Sequence, residues 1–113
     1  MNIEVDVYNK LTSLNIPVYP VKIKQNTTFP CAVYFVVAEV NKDADNKNEI
    51  VYKSYRMQVD IYSKSYKEAK NLKDKAIDLL LELNATEISA VDMYEDEEML
   101  YREMIDFKIN KGE

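Results

Sequence analysis

The chain has 113 residues, 47% of them hydrophobic and 31% charged, with a net charge of −5. That length suits a single domain spanning residues 1–113, large enough to bury one core without staples, and the negative balance argues against a nucleic-acid binder, whose usual mark is a basic field. Histidine is absent and Gly112 is the only glycine, which removes the commonest general base and metal ligand and the glycine-rich loops that cradle phosphate.

Cys31 is the only cysteine, so no intrachain disulfide forms and nothing points to an oxidising compartment. The opening MNIEVDVYNKL is acidic and lacks the apolar stretch of a signal peptide. No run approaches the roughly 18 apolar residues of a membrane span. The expected location is the cytoplasm.

Residues 2–14 carry two patterns: Ile3, Val5 and Val7 alternate as in a strand, while Ile3, Val7, Leu11 and Leu14 recur as one helix face. The helical pattern runs longer, Asn2 can cap its start, and Asn15 followed by Pro17 can end it. Pro17–Pro20 reads as extended, and 21–28 as an irregular connection. A strand over 31–40, CAVYFVVAEV, follows Pro30. Its apolar run predicts burial on both faces for most of its length.

Residues 41–48, NKDADNKN, read as a polar loop tip. The next strand, 49–62, alternates: Val51, Tyr55, Met57, Val59 and Ile61 on one face, and Ser54, Arg56, Gln58, Asp60 and Tyr62 on the other. One face is expected on the core and the other toward water or a partner.

Ser65-Tyr66-Lys67-Glu68 forms a capping box, in which Glu68 would reach back to the Ser65 amide. Ala69, Leu72, Ala76, Leu80 and Leu83 recur behind it at helical spacing. Lys70 and Asp74 are spaced to pair along this helix, and Asn84 can cap its end. The remainder reads as a hairpin: a strand from Ile88 to Tyr94, an acidic connection at 95–98, and a strand from Met99 to Ile109. Met99, Tyr101, Ile105, Phe107 and Ile109 share one face there. Glu103 is the misfit on that apolar face and is expected near a sheet edge.

Candidate chemistry is sparse. Glu95, Asp96, Glu97 and Glu98 offer oxygens to a hard cation, but their spacing matches no calcium loop, and a solvated hairpin tip is the better reading. Asp60 precedes a helix, as functional carboxylates often do, yet no titrating partner is spaced near it. A hydrogen bond or ion pair on the polar face, with Arg56 as a candidate partner, fits better. Cys31 lacks a base and is expected to be a buried core residue. The lysines of the second helix are interleaved with acids, as on a solvated face. Among the nine tyrosines, Tyr52, Tyr62 and Tyr94 fall opposite the apolar stripes, where tyrosine suits a protein interface.

Three stretches carry a resemblance: IPVYP (16–20) after a short helix, FPCAVYFVV (29–37), and YRMQVDIYSKSYKEAKNLKDKAIDLL (55–80). In their order they resemble the tail-terminator, or tail-completion, proteins of long-tailed bacteriophages and prophages, across nearly the whole chain. The resemblance implies an α+β fold in the order α-β-β-β-α-β-β, with helices packed on one face of a mainly antiparallel mixed sheet. It also implies a virion protein that caps the tail tube, stops its polymerisation and helps join tail to head. Such a protein would act as a ring, typically of six, with the tube protein and the head–tail connector as partners. It would use no cofactor or metal, catalyse nothing, and bind neither membrane nor specific nucleic acid. Asp43, Asp45, Asn46, Lys47, Tyr52, Arg56, Asp60 and Tyr62 form the candidate assembly surface. Two other readings stay open: a head-closure or other neck protein of similar size, and a small ligand-binding or regulatory module, which would show a concave pocket.

Overall fold

The structure is a computed structural model that describes residues 2–44 and 49–112, with side chains over 2–41 and 53–110. The first helix, α1 (Ile3–Leu11), begins where Asn2 accepts a hydrogen bond from the Glu4 amide at 2.8 Å. Glu4 and Asp6 in its first turn and Lys10 in its last complement the helix dipole. Ile3, Val7 and Leu11 turn inward and are buried, so the helical pattern of 2–14 prevails over the alternating one. A 3₁₀ turn, Thr12–Leu14, follows, and Asn15 ends it with a left-handed φ of 59°.

The strands are β1 (Val18–Pro20), β2 (Cys31–Ala44), β3 (Glu49–Ser63), β4 (Thr86–Glu95) and β5 (Leu100–Gly112), with α2 (Tyr66–Leu81) between β3 and β4. They form one sheet in the order β1-β2-β3-β5-β4. Only the β1–β2 pair is parallel. The element order and the mixed, mainly antiparallel sheet are those expected from the sequence.

Both helices lie on one face of the sheet. Their inward residues meet Ala32 and Tyr34 of β2, Met57, Val59 and Ile61 of β3, and Ile105, Phe107 and Ile109 of β5 in one apolar cluster. Each valine, leucine, isoleucine, methionine or phenylalanine among them taken fully out of water contributes about 1.5–3 kcal/mol. Lys10 of α1 adds a surface ion pair to Glu82 at 2.6 Å just beyond α2.

Several expectations are corrected. β2 is buried on both faces only from Cys31 to Tyr34; residues 37–41 are exposed, because the β2–β3 ribbon runs on past the helix layer. The molecule is accordingly elongated, 52 × 25 × 25 Å. The expected loop also starts late: residues 41–44 continue the ladder, with Asn41 opposite Lys53 and Ala44 opposite Glu49. The remainder of that loop, 45–48, lies outside the described residues. Met99 does not join the apolar face of β5; it is 65% exposed in the β4–β5 turn, with φ of 55°.

Glu103 is not near an edge, since β5 lies between β3 and β4. It is buried, opposite Ile61 and Asp92. Lys70 turns to Asp92 of β4 at 2.8 Å, and it is Lys73 that meets Asp74, at 2.7 Å.

Candidate functional site

The register places Arg56, Asp60 and Tyr62 together on the helix-free face, as their alternation along β3 requires. Asp60 nevertheless does not present itself to a partner. It is 2% exposed, because β2 and β5 flank it with Val33 and Met104. Its Oδ2 accepts from Arg102 Nη2 at 2.8 Å and its Oδ1 from Gln58 Nε2 at 2.7 Å. The cation is thus Arg102, one strand away, rather than Arg56.

Arg102 spans two carboxylates, donating through Nη1 to Glu95 at 2.9 Å, and its guanidinium lies 5.4 Å from the Tyr62 ring centroid. Burial works against the Arg102 charge, but the bonds to Glu95 and Asp60 outweigh it and hold the group more firmly protonated. Burial also pushes the half-buried Tyr62 phenol up. Arg102 therefore braces β3, β5 and the end of β4. Of the three candidates placed here, only Arg56 is exposed.

Asp43 and Tyr52 sit farther up the ribbon, Asp43 opposite Ile50 and Tyr52 opposite Lys42. Asp45, Asn46 and Lys47 lie outside the described residues. Cys31 is fully buried, and burial pushes its thiol up to about 11, so it stays protonated at neutral pH and behaves as a core residue.

A second polar cluster lies on the helix-bearing face, beneath the start of α2. Asp92 accepts from Lys70 Nζ and from the Tyr66 hydroxyl, each at 2.8 Å. Glu103 lies beside it, 1% exposed, with Lys70 Nζ at 3.8 Å from its Oε1. Tyr101 contacts both Tyr66 and Tyr94, with ring centroids 5.4 and 4.9 Å away. Tyr94 thus belongs to the helix-bearing face and not to the opposite one. Lys70, Glu103 and Tyr66 together hold the Asp92 carboxyl well below its ordinary range. Burial, then the neighbouring Asp92, push Glu103 up to about 7. In the sequence only the alternation along β5 points to this cluster, through one acid on an apolar stripe; its partners come from α2 and β4, which spacing along β5 does not show.

Two carboxyls with separated affinities are the raw material of acid–base chemistry, but here each is engaged by neighbours that tie α2 to the sheet. The hollow along α2, lined by residues including Ser65, Glu68, Asn71 and Lys75, takes in neither of them. Among the described residues no helix is long and apolar enough to cross a membrane.

Besides scattered apolar residues on the helices and turns, such as Val5, Tyr8 and Leu81, exposed apolar side chains gather along two strands. Val91, Met93 and Tyr94 of β4 are 52%, 42% and 46% exposed, and Val37 and Val40 of β2 are 53% and 45% exposed.

The molecule is thus an α+β domain, two helices on a five-stranded mixed sheet, with a projecting ribbon and open edges. Its fold is similar to that of a chain in the virion of a native gene transfer agent particle. The likeness covers 95% of this chain and 92% of that one, with a TM-score of 0.65 at 13% identity, and is a likeness of fold. No protein-family model matches the chain, and no curated protein matches it.

Proposed function

We propose that this chain is a structural component of a phage or phage-like virion that caps the tail tube, ends its polymerisation and helps join tail to head. The observation that carries the reading is the near end-to-end likeness of fold to a chain of the gene transfer agent virion. The resemblance of 16–20, 29–37 and 55–80 to tail-terminator proteins narrows it to the tail end. The protein acts as a ring, probed most simply as a hexamer, between tube protein and head connector, and works by contact rather than catalysis. In a ring each copy meets its neighbour through two different patches. The open strand edges and the end of the β2–β3 ribbon are suited to that.

The test is tail length. Particles assembled without this protein should carry abnormally long tails; tails of normal length would sink the capping role. Deleting residues 43–47 should leave the core intact and abolish capping, since the apolar cluster lies at the other end of the ribbon. Unimpaired capping would remove the ribbon end from the working surface.

A further inference from the structure

The sheet has two free edges. β1 covers β2 only from Ala32 to Tyr34, so from Phe35 to Asn41 the outer edge of β2 has no strand partner among the described residues. β4 is likewise free along its outer side. A free edge offers unpaired N–H and C=O groups, which proteins commonly blunt with lysine, proline or bulges. β1 is short and bracketed by Pro17 and Pro20. β4, TEISAVDMYE, contains no lysine, proline or glycine, and its irregularity is confined to the stretch between Thr86 and Ser89.

Its acids are already matched within the chain: Glu87 to Lys108 at 3.5 Å, Asp92 to Lys70 at 2.8 Å, and Glu95 to Arg102 at 2.9 Å. Along the free part of β2, Glu39 is matched to Lys53 at 3.8 Å. Both edges carry exposed apolar side chains among these matched acids, Val91, Met93 and Tyr94 on β4 and Val37 and Val40 on β2, and beyond the bulge between Val36 and Ala38 the free edge of β2 is regular from Ala38 to Asn41.

We propose that the outer edge of β4 pairs, antiparallel, with the free outer edge of β2 from a second copy of this chain, joining copies head to tail in one continuous sheet. It deepens the ring proposed above and rests on that reading for closure. The strand directions favour this occupant. β3 runs against β2, β5 against β3, and β4 against β5, so β4 is antiparallel to β2. Repeating the chain in the same orientation therefore makes an antiparallel junction, the same kind of ladder as the three inside each copy, with all helices on one side.

The side-chain faces restrict the register to every second residue. Val91 and Ser89 share the helix-free face through Met104 and Asp106, and Ala38 and Val40 share it through Arg56 and Ser54. Placing Val91 opposite Ala38 and Ser89 opposite Val40 sets Asp92 opposite Val37 rather than directly opposite Glu39, which the next face-matched register, Val91 opposite Val40, would do. Within one copy Val91 is level with Asp60, whereas Ala38 is level with Arg56. Each junction thus climbs about four residues, or ~13 Å, over four strand spacings of ~4.8 Å. That is a strand tilt of about 35°, within the range of sheets that close into barrels.

A double variant of the full chain, Ala38→Cys with Val91→Cys, tests the contact by oxidation with glutathione disulfide in concentrated solution. Cys31 is fully buried and does not compete. Within one copy the two positions are three strand spacings apart, ~14 Å, beyond the ~7 Å between Cα atoms that a disulfide tolerates. A ladder of covalent oligomers on a non-reducing gel is expected. Adding Val91→Lys and Met93→Lys to the otherwise native chain alters only exposed positions. It should leave the circular dichroism unchanged and weaken self-association at least about tenfold. Monomer only, unchanged association of the lysine variant, or dimers formed equally well by Val91→Cys alone, which would mean β4 against β4, would overturn the proposal. Ladders with tails of normal length in the deletion strain would sink the capping role and leave the contact standing. Overlong tails with no ladder would do the reverse.

Discussion

Glu103 on β5 stands directly opposite Asp92 on β4, and the buried member of the pair is the one that keeps its proton to about 7. A protonated Glu103 can donate to the Asp92 carboxylate, which Lys70 and Tyr66 hold ionised from the other side. Folding therefore favours one neutral and one charged acid.

The two acids act on stability in opposite pH windows. Glu103 releases its proton near 4.5 when unfolded and near 7 when folded, so its contribution is complete below 4.5 and lost as pH rises through 7. Asp92 is depressed below its ordinary 3.8, so its contribution is present above 3.8 and lost as pH falls further. Glu103→Gln keeps the shape and a donor but removes the first window. Relative to this variant, the native chain should lose about 1–3 kcal/mol between pH 5 and pH 8. Urea unfolding of both proteins at the two pH values reads it; a constant difference would show that Glu103 does not titrate in that range.

Asp60 and Arg102 predict an asymmetry. Removing Asp60 leaves Arg102 still paired to Glu95 and partly in water. Removing Arg102 leaves Asp60 buried with only Gln58 to donate to it. A buried charge stripped of its partner is the costlier residue to leave behind. Arg102→Ala should therefore destabilise by about 2–4 kcal/mol and Asp60→Ala by roughly 1–2 kcal/mol less. Equal losses in denaturant melts would mean that the pair works as packing rather than as charge.

The docking of α1 makes a simpler prediction. Leu11 is fully buried at the last turn of α1, in the same cluster as Leu80 and Phe107. Leu11→Ala should cost about 2–5 kcal/mol. A loss below about 1 kcal/mol would mean that α1 contributes little to the core.

These sites differ in how far the sequence disclosed them. Helix starts at Asn2 and Ser65 were legible because a cap and its amide lie within three residues. The β3 faces were legible because strand period is local. The order β1-β2-β3-β5-β4 was not, since it depends on which distant strand pairs with which. Alternation along β3 therefore puts Asp60 on its face without reaching Arg102, and alternation along β5 marks Glu103 as a misfit without naming Asp92 or Lys70. Apolar content misled at β2, where Val37 and Val40 belong to a projecting ribbon. An apolar run alone does not separate a buried strand from one that leaves the core.

The start of α2 shows the same limit at short range and yields the last prediction. Ser65 caps as expected, its hydroxyl accepting from the Glu68 amide at 3.2 Å. Glu68 does not return to the Ser65 amide. Its carboxylate instead accepts from the Ser63 hydroxyl at 2.6 Å, and that hydroxyl accepts from the Ser65 amide at 3.0 Å. Ser63 is fully buried at the end of β3, where it can relay what the capping box does directly. Losing an exposed cap costs about 1 kcal/mol, whereas losing Ser63 removes two part-buried hydrogen bonds at once, each worth about 0.5–1.5 kcal/mol. Ser63→Ala should therefore destabilise more than Ser65→Ala. In a double-mutant cycle, Ser63→Ala and Glu68→Gln should couple by more than about 0.5 kcal/mol. Additive losses would mean that Glu68 reaches its amide through water and that Ser63 is only a small core residue.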